Sequence, residues 1–260
     1  MKLEMLLSIL LLGGCSGTCL AQEVVATIPP SAATDGPPTP ATEEASAKPA
    51  EPTAPTVAPD APLVAYSGSM TTIMTAMSPG KAAFAIVGAA AMIAEGKQII
   101  ADNQIIDPSQ GIAREVATDF AQARSARVAD APLGVERKGA TVPKPAALAA
   151  AATGAAYVVD VDSGWILSYF PVDWAKYKVI FISNMRLVDA KSLAVVAKQS
   201  CSWDGEKRGD PKFTRDELLN DNAKGLKDAL ARGASFCAGE FKAKVAATVG
   251  AGDAPKAAGS

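Results

Sequence analysis

Residues 23–62 hold ten of the chain's eighteen prolines, with Thr, Ala, Ser and Glu between them and almost nothing large and apolar. Such a stretch cannot bury enough surface to offset the entropy of ordering it, so residues 22–62 are expected to form a disordered, polyproline-like linker. At about 3.1 Å per residue its reach is on the order of a hundred ångströms. Whatever folds must lie beyond it. Residues 63–248 are enough for a single α/β domain with an Ala-rich helical N-terminal part, followed by a disordered Gly/Ala/Lys tail over 249–260.

The linker sets six acids against Lys48 alone, and the leader balances Lys2 against Glu4, so the net charge of −2 leaves +3 for residues 63–260. A near-neutral domain gives no electrostatic case for a nucleic-acid partner. The chain has no histidine. Every mechanism that needs an imidazole base or ligand is therefore excluded, including Ser-His-Asp and Cys-His nucleophile systems and the usual His-containing zinc sites.

The first residues have the layout of a secretory signal peptide over 1–21. Lys2 precedes an apolar run from Leu6 to Leu12 that is about half the length a bilayer crossing needs, and small residues follow. Leu12-Gly13-Gly14-Cys15 resembles the bacterial lipobox, which implies cleavage before Cys15 and a diacylglycerol on its thiol; Ser16 in the next position implies outer-membrane sorting. The competing reading is soluble export, with Cys19-Leu20-Ala21 read by an ordinary signal peptidase and the mature chain beginning at Gln22. Cysteine arithmetic favours the second, since it leaves only Cys201 and Cys237. The apolar run, ending at Gly13, favours the first.

Along the domain, residues 63–77 are strand-like, with Ser78-Pro79-Gly80 as a stop, and residues 82–103 are helical and too short in their uncharged part to span a membrane. A buried helix is the expectation there. Asp107-Pro108-Ser109 caps a second helix with Ile112, Val116 and Phe120 on its apolar face. Residues 127–133 are strand-like, and Pro145 opens an Ala-rich helix closed by Gly154. Residues 156–161 form a strand, which 165–170 continue after a bulge or turn at Ser163-Gly164. In the next strand Tyr177, Val179, Phe181, Met185 and Leu187 share one face, and Lys178, Asn184 and Arg186 the other. A tight turn at Asp189-Ala190-Lys191-Ser192 returns the chain antiparallel to 201. Thr214 through Glu217 make a capping box before a long helix whose stripe is Leu219, Ala223, Leu226, Leu230, Cys237, Phe241 and Val245.

Three sets of residues are candidates for function. Cys201 ends a strand and Cys237 lies on the helix stripe facing it, so in an oxidising compartment a structural disulfide is expected, stabilising the fold by roughly 3 to 4 kcal/mol. Asp160 and Asp162 share a strand face two residues apart; as a carboxylate cluster they would bind a hard cation or act as an acid/base pair, whereas the plainer reading has that face toward solvent near a strand end. Trp165, Phe170 and Trp174 form either an aromatic contact surface or rings filling an Ala-rich core. Nothing in the sequence defines a catalytic set, a metal site or a cofactor.

The order of helix, Arg127-Val128-Ala129 strand, Ala-rich helix, strand at Tyr157-Val158-Val159, long strand ending Met185-Arg186-Leu187-Val188-Asp189, turn, return strand and helix is similar to envelope lipoproteins of Gram-negative bacteria. It resembles the periplasmic α/β domain of the curli-secretion lipoprotein and of the penicillin-binding-protein activator lipoproteins, over roughly residues 105–245. No functional residue carries across. The expectation is a mainly antiparallel sheet packed on helices, carried on a proline-rich tether. It sits in the periplasm, anchored to the outer membrane by lipid or else soluble, and serves as a non-enzymatic interaction or assembly module for an envelope protein partner. Alternatives are a carboxylate-dependent periplasmic enzyme, or a small-ligand binding protein with a pocket beside Trp165 and Trp174.

Overall fold

The computed structural model describes residues 60–70, 74–77, 85–137 and 141–252. Cys15, Cys19, the linker up to 59, the stop at Ser78-Pro79-Gly80 and the tail beyond 252 lie outside the described residues.

Among the described residues seven strands form one sheet: β1 (Leu63–Ser69), β2 (Met74–Ala76), β3 (Arg127–Val128), β4 (Ala155–Phe170), β5 (Asp173–Asp189), β6 (Val195–Asp204) and β7 (Phe213–Thr214). The order is β3-β1-β4-β5-β6, with β2 paired beside β4 and β7 beside β5. The sheet is mixed, which corrects the expectation of a mainly antiparallel one. β1 pairs parallel with both β3 and β4, and β2 parallel with β4. β4, β5 and β6 form the antiparallel meander that their short turns required. Parallel pairing arises from the long connections through helices, whose direction a local pattern does not report.

Among the described residues four α-helices accompany the sheet: α1 (Ala85–Asp102), α2 (Ser109–Ala123), α3 (Pro145–Ala151) and α4 (Arg215–Gly252). The main core lies between the inner sheet face and α2 and α4. Val64, Tyr66, Val159, Val161, Trp165, Leu167, Phe181, Met185 and Leu187 meet Ile112, Val116, Phe120, Leu226, Phe241 and Val245 there. β4 is continuous through Ser163-Gly164, and its irregularity falls at Tyr169/Phe170. Ser163 instead admits a helix: its hydroxyl meets that of Ser109, both fully buried. Beside it, a Cβ on Gly68 would lie 2.4 Å from the backbone nitrogen of Gln110, so only glycine lets α2 start this close to β1. Asp107 fixes the approach by accepting from the backbone N–H of Ser109 at 2.8 Å and of Met70 at 2.6 Å.

α1 is not the buried helix its composition implied. Of its described side chains only Ile99 is buried, together with Gly88 and Gly96, while Ile93 is exposed, and no helix among the described residues is long and apolar enough to cross a membrane. α4 opens with the expected capping box: Glu217 N–H donates to Thr214 Oγ1 at 3.2 Å and the Glu217 carboxylate accepts from Thr214 N–H. Asn220 to Ala223 then leave helical geometry, three of them with φ near +50°. That break shifts the phase of the stripe, so Leu218, not Leu219, is the fully buried residue of the first turn.

Candidate functional site

The outer face of the sheet is built from the alternate residues of the same strands. Its upper part is apolar, where Ala65, Val158 and Val188 are covered by Leu148 of α3. One row further, the registers align Ser67, Asp160, Arg186 and Lys198 across four strands. The next row holds Ser69, Asp162, Asn184 and Ser200. The segment between β3 and α3 lies over the first row and brings in Arg137.

Asp160 is 2% exposed, and each carboxylate oxygen has its own guanidinium: Oδ1 accepts from Arg137 and Oδ2 from Arg186, whose side chains are 4% and 15% exposed. Arg186 Nη2 also donates to the carbonyl of Pro143 at 3.0 Å, and Arg137 Nη2 to Ser67 Oγ at 3.3 Å. This triad ties the overlying segment to the sheet. Arg137 Nη1 is buried with no hydrogen-bond partner among the described residues. Beside the triad a cleft of about 430 Å³ opens, lined by Val142, Asp162, Asn184, Arg186, Lys198 and Ser200. Ser200 Oγ donates to Asn184 Oδ1 at 2.8 Å across its wall.

The structure corrects the placement of Asp160 toward solvent at a strand end. It keeps Asp160 and Asp162 on one face, as the two-residue period required, but Asp160 lies in mid-strand, buried and doubly ion-paired. Burial of a carboxylate without such partners would be strongly unfavourable, and the arginines are the physical reason it is tolerated. Arg186 was legible, because alternation on β5 puts it on this face. Arg137 was not, since an irregular segment carries no periodicity.

The aromatic set is divided. Trp165 is wholly buried in the main core, its Nε1 without a hydrogen-bond partner among the described residues, and Phe170 is buried under the ammonium groups of Lys212 and Lys178. Trp174 alone is a surface residue, at 64% exposure, next to Val172 at 91%. Trp165 and Trp174 therefore do not flank a common pocket, and Trp165 and Phe170 are not contact-surface residues. At the hairpin tip Trp174 Nε1 donates to the Pro171 carbonyl at 2.7 Å, which pins the indole. Nearby, burial disfavours the Lys178 ammonium, but hydrogen bonds to Asp204 at 2.9 Å and Glu206 at 3.1 Å outweigh it and raise its pKa above the ordinary lysine value.

Cys201 and Cys237 form a disulfide with Cα atoms 5.6 Å apart, joining β6 to α4. The pairing joins the two expected residues, but Cys201 lies within β6, which runs on to Asp204, and does not end the strand.

Fold and site thus define a mixed α/β domain with one face sealed by helices and the other organised around a buried Arg-Asp-Arg triad. No family model matches the sequence, and no curated protein matches it. Among solved structures the chain is similar to the hypothetical protein CT253 from Chlamydia trachomatis, at 8% identity and a TM-score of 0.39, covering 72% of this chain and 99% of that one. It is also similar to the lipoprotein GNA1162 from Neisseria meningitidis, at 13% identity and a TM-score of 0.30, covering 69% and 99%. A third is protein XCC0632 from Xanthomonas campestris, at 13% identity and a TM-score of 0.33, covering 75% and 92%.

Proposed function

We propose that the chain is an exported cell-envelope protein, held at the membrane by a lipid on Cys15, that acts by binding an envelope protein rather than by catalysis. The lipobox-like Leu12-Gly13-Gly14-Cys15 and the Cys201–Cys237 disulfide both support export, the second because such bonds persist in oxidising compartments. The proline-rich linker gives the domain reach away from its anchor.

The observation that carries the binding reading is the β4–β5 tip, where Val172 and Trp174 are exposed and the indole is held by Pro171. A tryptophan already fixed in one orientation loses little entropy on docking, and tryptophan is among the residues that dominate interface energies. Against an acid/base role, both oxygens of Asp160 are engaged by arginines.

The test is photo-crosslinking in envelopes from position 172 of the full-length chain, with mass analysis of the mature N-terminus. Binding predicts one crosslinked protein, lost in Trp174→Ala while the melting temperature is kept. An unaltered crosslink pattern and full complementation by Trp174→Ala would overturn it. A mature chain starting at Gln22 would remove the lipid anchor. If Asp160→Asn with Asp162→Asn folds but fails to complement, the carboxylate enzyme takes its place.

A further inference from the structure

The break in α4 positions a lysine on the surface beside it. Asp221, Asn222 and Ala223 take left-handed backbone angles, with φ of 52°, 57° and 53°, a conformation that costs free energy in residues with a Cβ. The turn sets Asn222 between two elements. With its amide oriented to satisfy both neighbours, Asn222 donates to the carbonyl of Asn103 at 2.8 Å and accepts from Lys227 Nζ at 3.0 Å. The connection from α1 to α2 also turns at positive φ, at Gln104, just before Ile105 and Ile106. Ile105 is buried, but Ile106 is 87% exposed. Between this connection and one turn of α4 lies a groove of about 340 Å³ walled by Ile105, Ile106, Pro108, Leu230 and Ala231. Its two polar lining residues are Gln104 and Lys227.

We infer that this groove binds an aliphatic monocarboxylate of roughly six to eight carbons, its chain against the α1–α2 connection and its carboxylate at Lys227. The walls call for an aliphatic body: they are branched side chains and a proline, with no aromatic ring among the described residues to stack a planar ligand. Lys227 calls for an anionic head. Its contact, Asn222, is a neutral amide that takes one of three ammonium donors, so two remain for a carboxylate. The nearby acids are engaged elsewhere and neither lines the groove. Asp228 pairs with Lys224 at 2.6 Å, and Asp107 spends its two oxygens on the backbone N–H groups of Ser109 and Met70. The groove's extent favours a small ligand over a protein. Lys227 to Ala231 is one helical turn, about 6 Å of axis, far short of the roughly 800 Å² per partner that a stable protein interface buries. The site shares no residue with the β4–β5 tip and does not depend on the interaction proposed there.

The experiment is a titration of the full-length protein with octanoate, octylammonium and acetate at low ionic strength, read from the backbone amide NMR shifts of residues 104–106 and 227–231. Octanoate and octylammonium share a chain and differ in the sign of the head, and acetate has the head without the chain. Saturable octanoate binding is expected, about tenfold tighter than octylammonium, with acetate weaker still. Ile106→Ser, at an exposed position, should weaken octanoate about tenfold. Lys227→Met keeps the aliphatic stem and should bring octanoate and octylammonium to equal affinity, while Lys227→Arg should retain the preference for octanoate. Octylammonium binding as tightly as octanoate to the unaltered protein would overturn the assignment, as would an octanoate affinity unchanged in both Lys227→Met and Ile106→Ser. So would shifts still unsaturated at about 10 mM, weaker than the millimolar range expected of a compact ligand. A mass by analytical ultracentrifugation that rises with protein concentration, and no longer does so in Ile106→Ser, would make a second copy the occupant and overturn it too.

Discussion

The two faces of β4, β5 and β6 are made of alternate residues of the same strands and are held by different physics. On the inner face Val161, Trp165, Phe181 and Met185 are sealed beneath α2 and α4, so their contribution scales with apolar surface removed from water. On the outer face Asp160 and Arg186 are nearly as inaccessible, but there the segment bearing Arg137 is tied down by charge-assisted hydrogen bonds. The inner face should lose stability in proportion to the volume deleted. The outer face should respond to which partner is deleted, because an unpaired buried charge is worse than none.

The largest expected effect probes packing alone. Phe181→Ala removes a fully buried ring beneath α4 and should lower the unfolding free energy by about 3–5 kcal/mol in urea titrations. Removing the disulfide by replacing Cys201 and Cys237 together with Ser should lower it by roughly 3–4 kcal/mol, since the bond closes a separation of 36 residues. Gly233 sharpens the picture of the inner face: a Cβ there would lie 2.6 Å from the Cβ of Phe181. Gly233→Ala should cost about 1–3 kcal/mol alone through overpacking. Phe181→Ala keeps that Cβ and removes only the ring atoms 2.9 and 3.2 Å away, so the double variant should still carry most of the Gly233→Ala cost, whereas Phe181→Gly should relieve it.

The smallest effect lies at the strand and helix ends. Backbone N–H donation from Ser192 holds the Asp189 carboxyl below its ordinary value, and donation from Thr214 does the same for Glu217. A lowered folded pKa means stability that is present above the unfolded value and lost as pH falls through the folded one. Urea midpoints should therefore decline as pH drops below about 4.5, and Glu217→Gln should flatten its share of that decline.

The meander, the capping box, α2 and α3 and the disulfide were legible because each is written in local spacing or residue chemistry. Alternation on β5 likewise put Arg186 with Lys178 and Asn184 on the face opposite the apolar residues, but did not pair it with Asp160. Three features were not. The parallel placement of β1 and β3 depends on crossovers through helices, and strand composition does not encode their direction. The exposure of α1 escaped notice because an Ala- and Ile-rich helix has the same composition whether covered or bare. The burial of Asp160 depends on Arg137, which arrives from an irregular segment with no period to mark it.

The most direct test of the contrast between the faces is equilibrium urea unfolding of Asp160→Asn beside the triple variant Arg137→Met, Asp160→Leu, Arg186→Leu. If the outer face is held by its ion-paired triad, Asp160→Asn leaves two guanidiniums without their carboxylate and should lose about 3–5 kcal/mol, while the apolar triple variant should recover most of that loss. A change of less than about 0.5 kcal/mol in Asp160→Asn would match an ordinary surface substitution and contradict the account.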